Sequence, residues 1–153
     1  MTAIIDLKYD SNKESDAYKN LGPSVVKIIE EKGMLDSCVI QTNHDNDVPN
    51  IRAQSEDVRI WYLGYDVVTD QQINLSLENN VECINFNDRN ETMTEDNIEK
   101  INNAGIDACV WNVWSESKKE QYKQYGAKYI MSDEALGTTP YQEGEEDFNQ
   151  IVN

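Results

Sequence analysis

The sequence predicts an α/β fold in which six short parallel strands alternate with five helices. Short apolar, β-prone runs recur roughly every 25 residues, and segments with helix-cap and helix-stop signals separate them. The clearest unit is 107–133, where an apolar strand, a helix stopped by Gly126 and a second strand follow one another. Strands joined by so short a helical connection run parallel, so we expect one parallel sheet.

The predicted strands are runs rich in valine, isoleucine and aromatic residues, which favour an extended backbone. In chain order they are 3–8, 37–42, 58–63, 81–86, 108–113 and 128–131. The last two place Trp111, Asn112, Ser132 and Asp133 at or near the carboxyl ends of adjacent strands. In α/β folds this edge of the sheet carries the chemistry.

Helix signals lie in the segments between these strands. Pro23 near a start and Gly33 as a stop bound the first helix. Ile73 and Leu77 are four residues apart and indicate one apolar face of the third helix. The caps expected for the second to fifth helices are Asn46 or Asp47, Thr69 or Asp70, Thr94, and Ser115 or Ser117, the last with capping-box spacing to Glu120.

Alternation of strands and helices fits either a doubly wound open sheet or part of a (β/α)₈ barrel. A whole barrel usually needs about 250 residues and eight strands. The chain has 153 residues, which suits one compact domain but is too short for a whole barrel. From Gly137 onward the sequence is rich in Thr, Pro, Glu and Asp, which predicts an irregular acidic tail or a short closing helix.

Thirteen basic against 29 acidic side chains give a net charge of −16. This excess argues against nucleic acid and anionic membrane surfaces as partners, since both attract Lys and Arg. An anionic substrate would need a local cation or a metal. The N-terminus lacks a signal-peptide pattern and no apolar run approaches ~18 residues. We therefore expect no transmembrane segment and a cytoplasmic or other soluble compartment.

Three cysteines, Cys38, Cys83 and Cys109, fall inside predicted strands. An odd number of cysteines in such positions predicts buried thiols in a reducing compartment, not a disulfide framework. No Gly-rich phosphate loop, Gly-x-Ser-x-Gly elbow or Cys-x-x-Cys pair occurs, which disfavours a Rossmann cofactor site. The one histidine, His44, lies in an acidic loop, where an exposed loop residue is favoured over a ligand or general base.

Asp6 and Lys8 are the most suggestive charged pair. Alternation along a strand puts both side chains on one side, at the strand's carboxyl end. A carboxylate and an ammonium there could hold a divalent cation and a phosphate oxygen respectively. Taken alone, the pattern favours a plain salt bridge.

Three segments together resemble the glycerophosphodiester phosphodiesterase family. The C-terminal signature of this family reads like Val-Trp-Thr-Val-Asn, a helix, then Gly-Val-Asp-Gly-Ile-Ile-Thr-Asp. Both ends of segment 110–133 of this chain resemble it: 110–113, which is Val-Trp-Asn-Val, and 126–133, which is Gly-Ala-Lys-Tyr-Ile-Met-Ser-Asp. Segment 39–42 resembles its Val-Ile-x-Ser-Phe strand, and segment 4–8 its Ile-Glu-Ile-Lys strand. Order and spacing agree over 3–136.

The resemblance implies an incomplete TIM barrel over 1–136, comprising the third to eighth strands and five or six helices, with an acidic tail over 137–153. It implies metal-dependent hydrolysis of a glycerophosphodiester or of a glycerol-phosphate polymer, with calcium or magnesium as cofactor. Asp6 would take the metal-carboxylate position and Lys8 the phosphate-contacting catalytic position. Trp111 would line the substrate site.

The sequence also departs from the family pattern. Upstream of these segments the family carries a His-Arg-Gly strand, a Glu-x-Asp metal pair and a second histidine. All three are absent here, and His44 matches neither of the two family histidines. Asn43 replaces the Phe that is usual in the family, and Trp114 replaces the usual Asn. We therefore expect no catalysis by this chain alone.

Three interpretations stay open: the C-terminal part of a phosphodiesterase completed elsewhere, a non-catalytic barrel remnant that binds or assembles, or an unrelated α/β domain. Unpaired edge strands predict self-association or a complementing chain.

Overall fold

A computed structural model of the chain describes residues 2–8, 19–64, 67–88 and 94–132. Its centre is one sheet of six parallel strands, in the order β1-β2-β3-β4-β5-β6. The strands are β1 Ala3–Asp6, β2 Cys38–Thr42, β3 Ile60–Leu63, β4 Cys83–Asn87, β5 Asp107–Trp111 and β6 Tyr129–Ile130. A doubly wound sheet reverses its strand order at a switch point, and this sheet does not. The predicted incomplete barrel is therefore confirmed.

Among the described residues, a helix follows each of the first five strands, as predicted. The helices are α1 Leu21–Glu31, α2 Asp47–Gln54, α3 Asp70–Glu78, α4 Glu95–Asn103 and α5 Glu116–Gln124, and a short 3₁₀ turn, Leu35–Ser37, precedes β2. Among the residues described, none of these helices has the length and apolar character needed to cross a membrane.

The sheet has two buried faces. The outer face packs against the helices and forms the larger apolar core, which includes the fully buried Ile40, Ile84 and Phe86. The inner, concave face carries a smaller cluster, formed by Val39, Trp61, Cys83 and Cys109 with the partly buried Tyr129 and Met131. All three cysteines are buried and free, as the sequence predicted. Burial on both faces explains why the strands have near-continuous apolar runs.

Most helix caps match the predicted signals, but one predicted cap and one predicted helix face are wrong. Thr69 forms a capping box with Gln72, and Thr94 caps α4. The cap of α5 is Ser115, whose side chain accepts a hydrogen bond from the Lys118 amide, so the capping box predicted for Ser117 is wrong. Leu77 is 49% exposed, because the inward row of α3 runs from Ile73 to the fully buried Ser76 instead.

Strand bounds differ from the predicted ones by up to two residues at each end. The first strand stops at Asp6, before Lys8, and the fifth stops at Trp111 because Asn112 adopts a left-handed conformation with φ 61°. Asparagine tolerates this conformation better than most residues. The sequence also predicts a polar linker over 9–20. Positions 9–18 of this linker, and the predicted tail over 137–153, lie outside the described residues.

Candidate functional site

Polar side chains gather at the carboxyl ends of the strands. They include Asp6 at the end of β1 and Lys8 after it, Gln41 and Thr42 in β2, Asn85, Asn87 and Asp88 at β4, Asn112 after β5, and Ser132 after β6. Because every strand runs parallel, these ends meet at one edge of the sheet. This is the edge at which parallel barrels place their functional residues.

Asp6 and Lys8 come together as predicted. The Lys8 Nζ lies 2.5 Å from Asp6 Oδ2, and the two side chains are 72% and 32% exposed. An exposed ion pair adds little to stability, so its ammonium can exchange partners at small cost. The arrangement is a strand-end salt bridge whose cation remains open to solvent.

Beside Asp6 on the concave face lies a pair of buried amides that the sequence analysis assigned no role. Gln41 is the register partner of Asp6, and its Oε1 accepts a hydrogen bond of 2.9 Å from Asn85 Nδ2. The same Asn85 nitrogen lies 3.2 Å from Met131 Sδ, whereas Asn85 Oδ1 is buried without a hydrogen-bond partner in the described structure. The sequence contained a signal for this pair, since Gln41 and Asn85 each interrupt an otherwise apolar strand.

Trp111 ends β5, four strands from β1 at the same edge. It is half-buried and pairs in register with Asn87. The next residue, Asn112, donates from Nδ2 to Asn87 Oδ1 over 3.3 Å. This bond ties the turn after Trp111 to β4 and so fixes where the indole sits.

Residues in and beside the acidic loop after β2 form hydrogen bonds to neighbouring protein groups. Asp47 accepts from Thr42 Oγ1 at 2.8 Å, and the His44 amide donates to the same hydroxyl at 3.2 Å. Asp45 accepts from the Tyr62 hydroxyl at 2.7 Å, and burial together with this bond raises the pKa of Tyr62 to about 12. His44 is half-buried, which differs from the expected exposed loop histidine.

A buried carboxylate that sequence reasoning missed follows β4. Both oxygens of Asp88 accept hydrogen bonds from Lys118 Nζ, at 2.8 and 2.9 Å, and Oδ1 also accepts from the Tyr122 hydroxyl. The Asp88 side chain is only 8% exposed. These bonds attach α5 to the end of β4, which is a structural role.

The described residues do not form a metal site by themselves. Within 2–8, 19–64, 67–88 and 94–132, no group of three or more His, Cys, Asp or Glu side chains could hold a metal ion. Calcium and magnesium take six or more ligands, mostly oxygens. Asp6 offers one carboxylate, which already pairs with Lys8. Asp133, expected near this edge, lies outside the described residues.

The fold is similar to solved phosphodiesterase structures. A protein of Silicibacter pomeroyi assigned as a glycerophosphoryl diester phosphodiesterase matches with a TM-score of 0.73 and 16% identity, over 86% of this chain and 47% of that one. An Oleispira antarctica phosphodiesterase, solved with the product sn-glycerol-3-phosphate, matches at 0.72 and 13%, over 87% and 51%. A glycerophosphodiester phosphodiesterase from Parabacteroides distasonis matches at 0.71 and 13%, over 86% and 53%.

The chain spans about half the length of these proteins. No family profile matches its sequence, and no curated protein matches it either. The predicted resemblance to glycerophosphodiester phosphodiesterases is thus confirmed as a likeness of fold.

Proposed function

We propose that this chain supplies the substrate-binding part of a glycerophosphodiester phosphodiesterase site and does not hydrolyse the diester alone. The observation that carries the proposal is the position of the Asp6–Lys8 pair. It lies at the carboxyl end of the first of the six described strands, in a fold that matches phosphodiesterases over 86% of this chain.

Lys8 is the residue proposed to contact the phosphate. In a chain of net charge −16, an anionic ligand needs a local cation, and the Lys8 ammonium is exposed at the edge where ligands of parallel barrels bind. Charge-assisted hydrogen bonds from an ammonium to phosphate oxygens are among the stronger polar contacts.

The neighbouring groups suit the rest of such a ligand. Gln41 and Asn85 lie beside Asp6 on the concave face and, as amides, can both donate and accept hydrogen bonds. This is the chemistry that recognises a hydroxyl of a glycerol unit. The half-buried indole of Trp111 offers an apolar surface at the same edge.

Metal-dependent hydrolysis is not assigned to this chain's described residues. Asp6 would contribute one oxygen ligand to a calcium or magnesium ion, and the remaining ligands and the acid–base groups would have to come from elsewhere. The proposal therefore places binding on this chain and leaves the chemical step to a completed barrel.

The second candidate is a non-catalytic binding or assembly module. It is favoured by the concave face, where Trp61, Cys83 and Cys109 are almost fully buried and fill the interior without further strands. Under this interpretation the edge can still bind a glycerol phosphate, but no complement restores hydrolysis.

The test is hydrolysis of glycerophosphocholine with calcium or magnesium. It is measured for this chain alone, and then for the chain mixed with the two N-terminal β/α units of the Parabacteroides distasonis enzyme. Activity only in the mixture supports the proposal. Activity of the chain alone would contradict it, because the described residues lack a metal site. If neither the chain alone nor the mixture hydrolyses the diester, but the chain still binds sn-glycerol-3-phosphate, the binding module is favoured.

A further inference from the structure

A surface groove runs between α2 and α3, in the helical layer on the outer side of the sheet, and is separate from the concave face. Its volume of 510 Å³ lies within the range of small-molecule sites. One wall is a single face of α3, formed by Gln71, Asn74, Leu75 and Glu78 at helical spacing. The other wall is the start of α2 and the loop before it, formed by Asp45, Asn46 and Pro49. We call this feature the α2–α3 groove.

Asp45 provides a carboxylate of fixed orientation at one end of the groove. Its Oδ1 accepts a hydrogen bond from the Tyr62 hydroxyl at 2.7 Å, and its Oδ2 accepts one from Gln71 Nε2 at 3.3 Å. Because the pKa of Tyr62 is about 12, this hydroxyl remains a donor at neutral pH. A carboxylate can accept about four hydrogen bonds, so Asp45 keeps acceptor capacity towards the groove. No lysine or arginine of the described residues forms an ion pair with it.

Glu78 provides a second carboxylate towards the other end. It follows Gln71 by seven residues on the same helix face, which is about 10 Å along the helix axis. Glu78 is exposed, and it too forms no ion pair with a lysine or arginine in the part of the chain that the structure describes. Asp70, at the start of the same helix, differs because it pairs with Lys100 at 2.7 Å. The groove thus has an uncompensated carboxylate near each end.

Arg52 lies near the Glu78 end, but its donors are used by the backbone. The guanidinium nitrogens of Arg52 donate to four carbonyl groups, which belong to Ser55, Glu56, Asn79 and Asn80. These bonds hold α2 against the end of α3 and leave Glu78 without a guanidinium partner. The negative charge of the groove is therefore available to a ligand.

The middle of the groove has an apolar floor. Leu75 is half-buried against the core, and Pro49 faces it from the first turn of α2. Leu75 lies between Gln71 and Glu78 along α3, so the apolar surface separates the two carboxylates. Methylene groups of a flexible cation pack on such a surface while its charged ends stay at polar groups, as the stems of lysine side chains do.

We infer that the α2–α3 groove binds a linear diamine or polyamine. One ammonium group binds Asp45, another binds Glu78, and the methylene chain lies over Leu75 and Pro49. A divalent metal ion does not fit, because its oxygen ligands lie within about 2.6 Å of it, whereas these carboxylates are about 10 Å apart. The net charge of −16 concentrates cations at the surface and repels anions. This inference is independent of the proposed phosphodiesterase role.

The experiment is isothermal titration calorimetry of the full chain with putrescine and with butylamine, which has the same four-carbon chain and a single amine. Sodium chloride at about 0.15 M limits binding through distant charges, because the screening length is then about 8 Å. We expect one putrescine per chain. Butylamine should bind at least about tenfold more weakly, because it engages one carboxylate and loses the second, intramolecular contact.

Variants assign the binding to the two carboxylates. Asp45→Asn keeps an oxygen that accepts from the Tyr62 hydroxyl but removes the charge, and Glu78→Gln does the same at the other end. Each should lower the affinity for putrescine about threefold or more. The matched control is Glu99→Gln, since Glu99 is an exposed helical glutamate on α4 without an ion pair among the described residues. It should change Kd by less than about twofold.

A further variant fills the groove from within. Asn74 is exposed on α3, so Asn74→Lys should leave the fold intact while placing a tethered ammonium between the two carboxylates. This substitution should weaken putrescine binding about tenfold or more, because the added charge competes with the ligand and repels it. Unfolding midpoints check that every variant is folded.

Three outcomes would overturn the inference. The first is the absence of saturable putrescine binding to the wild-type chain. The second is equal affinity for putrescine and butylamine, since the two carboxylates would then not act together. The third is an equal loss of affinity in Glu99→Gln and Glu78→Gln, because putrescine would then be only a counterion of the acidic surface.

Discussion

The rings of Trp61 and Tyr129 contact each other across the concave face, with centroids 4.9 Å apart and 36° between their planes. The two residues belong to β3 and β6, which are separated in the sheet by β4 and β5. Their contact shows that the sheet closes on itself far enough for side chains of distant strands to meet. It also explains how a six-stranded arc buries its inner face.

Replacing Trp61 tests how much this contact stabilises the fold. Trp61 is 5% exposed, and Trp61→Ala should lower the free energy of unfolding by about 3–5 kcal/mol. The indole nitrogen is buried without a hydrogen-bond partner in the described structure, so Trp61→Phe loses no hydrogen bond. It should cost clearly less than Trp61→Ala, because the phenyl ring leaves a smaller cavity. Urea unfolding measures both values, and equal losses would show that the ring contact is not the stabilising feature.

Gly64 is predicted to be intolerant of a side chain. It follows β3, and a Cβ there would overlap the ring of Phe86, whose Cδ1 lies 2.8 Å from the Cβ position. Phe86 is fully buried and cannot move aside. Gly64→Ala should therefore cost about 1–3 kcal/mol. In a Phe86→Leu background the cost should shrink, and a double-mutant cycle by chemical denaturation measures the difference. An additive result would rule out the clash as the cause.

Tyr62 should make the fold weaker at high pH. Its pKa of about 12 lies above the usual 10.0, because the ring is buried and its hydroxyl donates to Asp45. Between pH 10 and 12 the unfolded chain loses this proton while the folded chain keeps it. Stability is therefore complete below pH 10 and falls as pH rises through 12, by about 2–3 kcal/mol in total.

The matched variant is Tyr62→Phe, which cannot ionise. At pH 8 it should be less stable than the wild type by about 1.5–3 kcal/mol, because the bond to the Asp45 carboxylate is lost. This gap should close towards pH 12, when unfolding is followed by urea titration at several pH values. A constant gap would contradict the assigned pKa.

Lys8→Ala should reduce the affinity for sn-glycerol-3-phosphate about tenfold or more, because the charge-assisted contact to phosphate is lost. The control is Lys27→Ala. Lys27 is equally exposed, at 71%, and also forms an ion pair with a nearby carboxylate, Glu31, but lies on α1. Isothermal titration calorimetry at two salt concentrations measures both variants. Equal losses would indicate general screening of the acidic surface instead of a site at Lys8.

Local sequence patterns determined most of the architecture. Apolar runs and caps such as Thr69 and Thr94 are short-range signals, so they predicted the number and order of strands and helices. The same reasoning predicted that Asp6 and Lys8 meet, because two residues apart in a strand is a local relationship. Errors concerned strand ends, the exposure of His44, and helix faces and caps such as Leu77 and Ser117, where a shift of a few residues changes which side chain faces inward.

The tertiary structure alone decided which polar groups meet across the chain. Gln41 and Asn85 are 44 residues apart in sequence, and Asp88 and Lys118 are 30 apart. Such pairs depend on how neighbouring strands align and how tightly the sheet curves, and neither quantity is encoded in a short segment. The same curvature brings Trp61 to Tyr129. The sequence therefore determined the β/α units, whereas packing determined which side chains meet on the inner face.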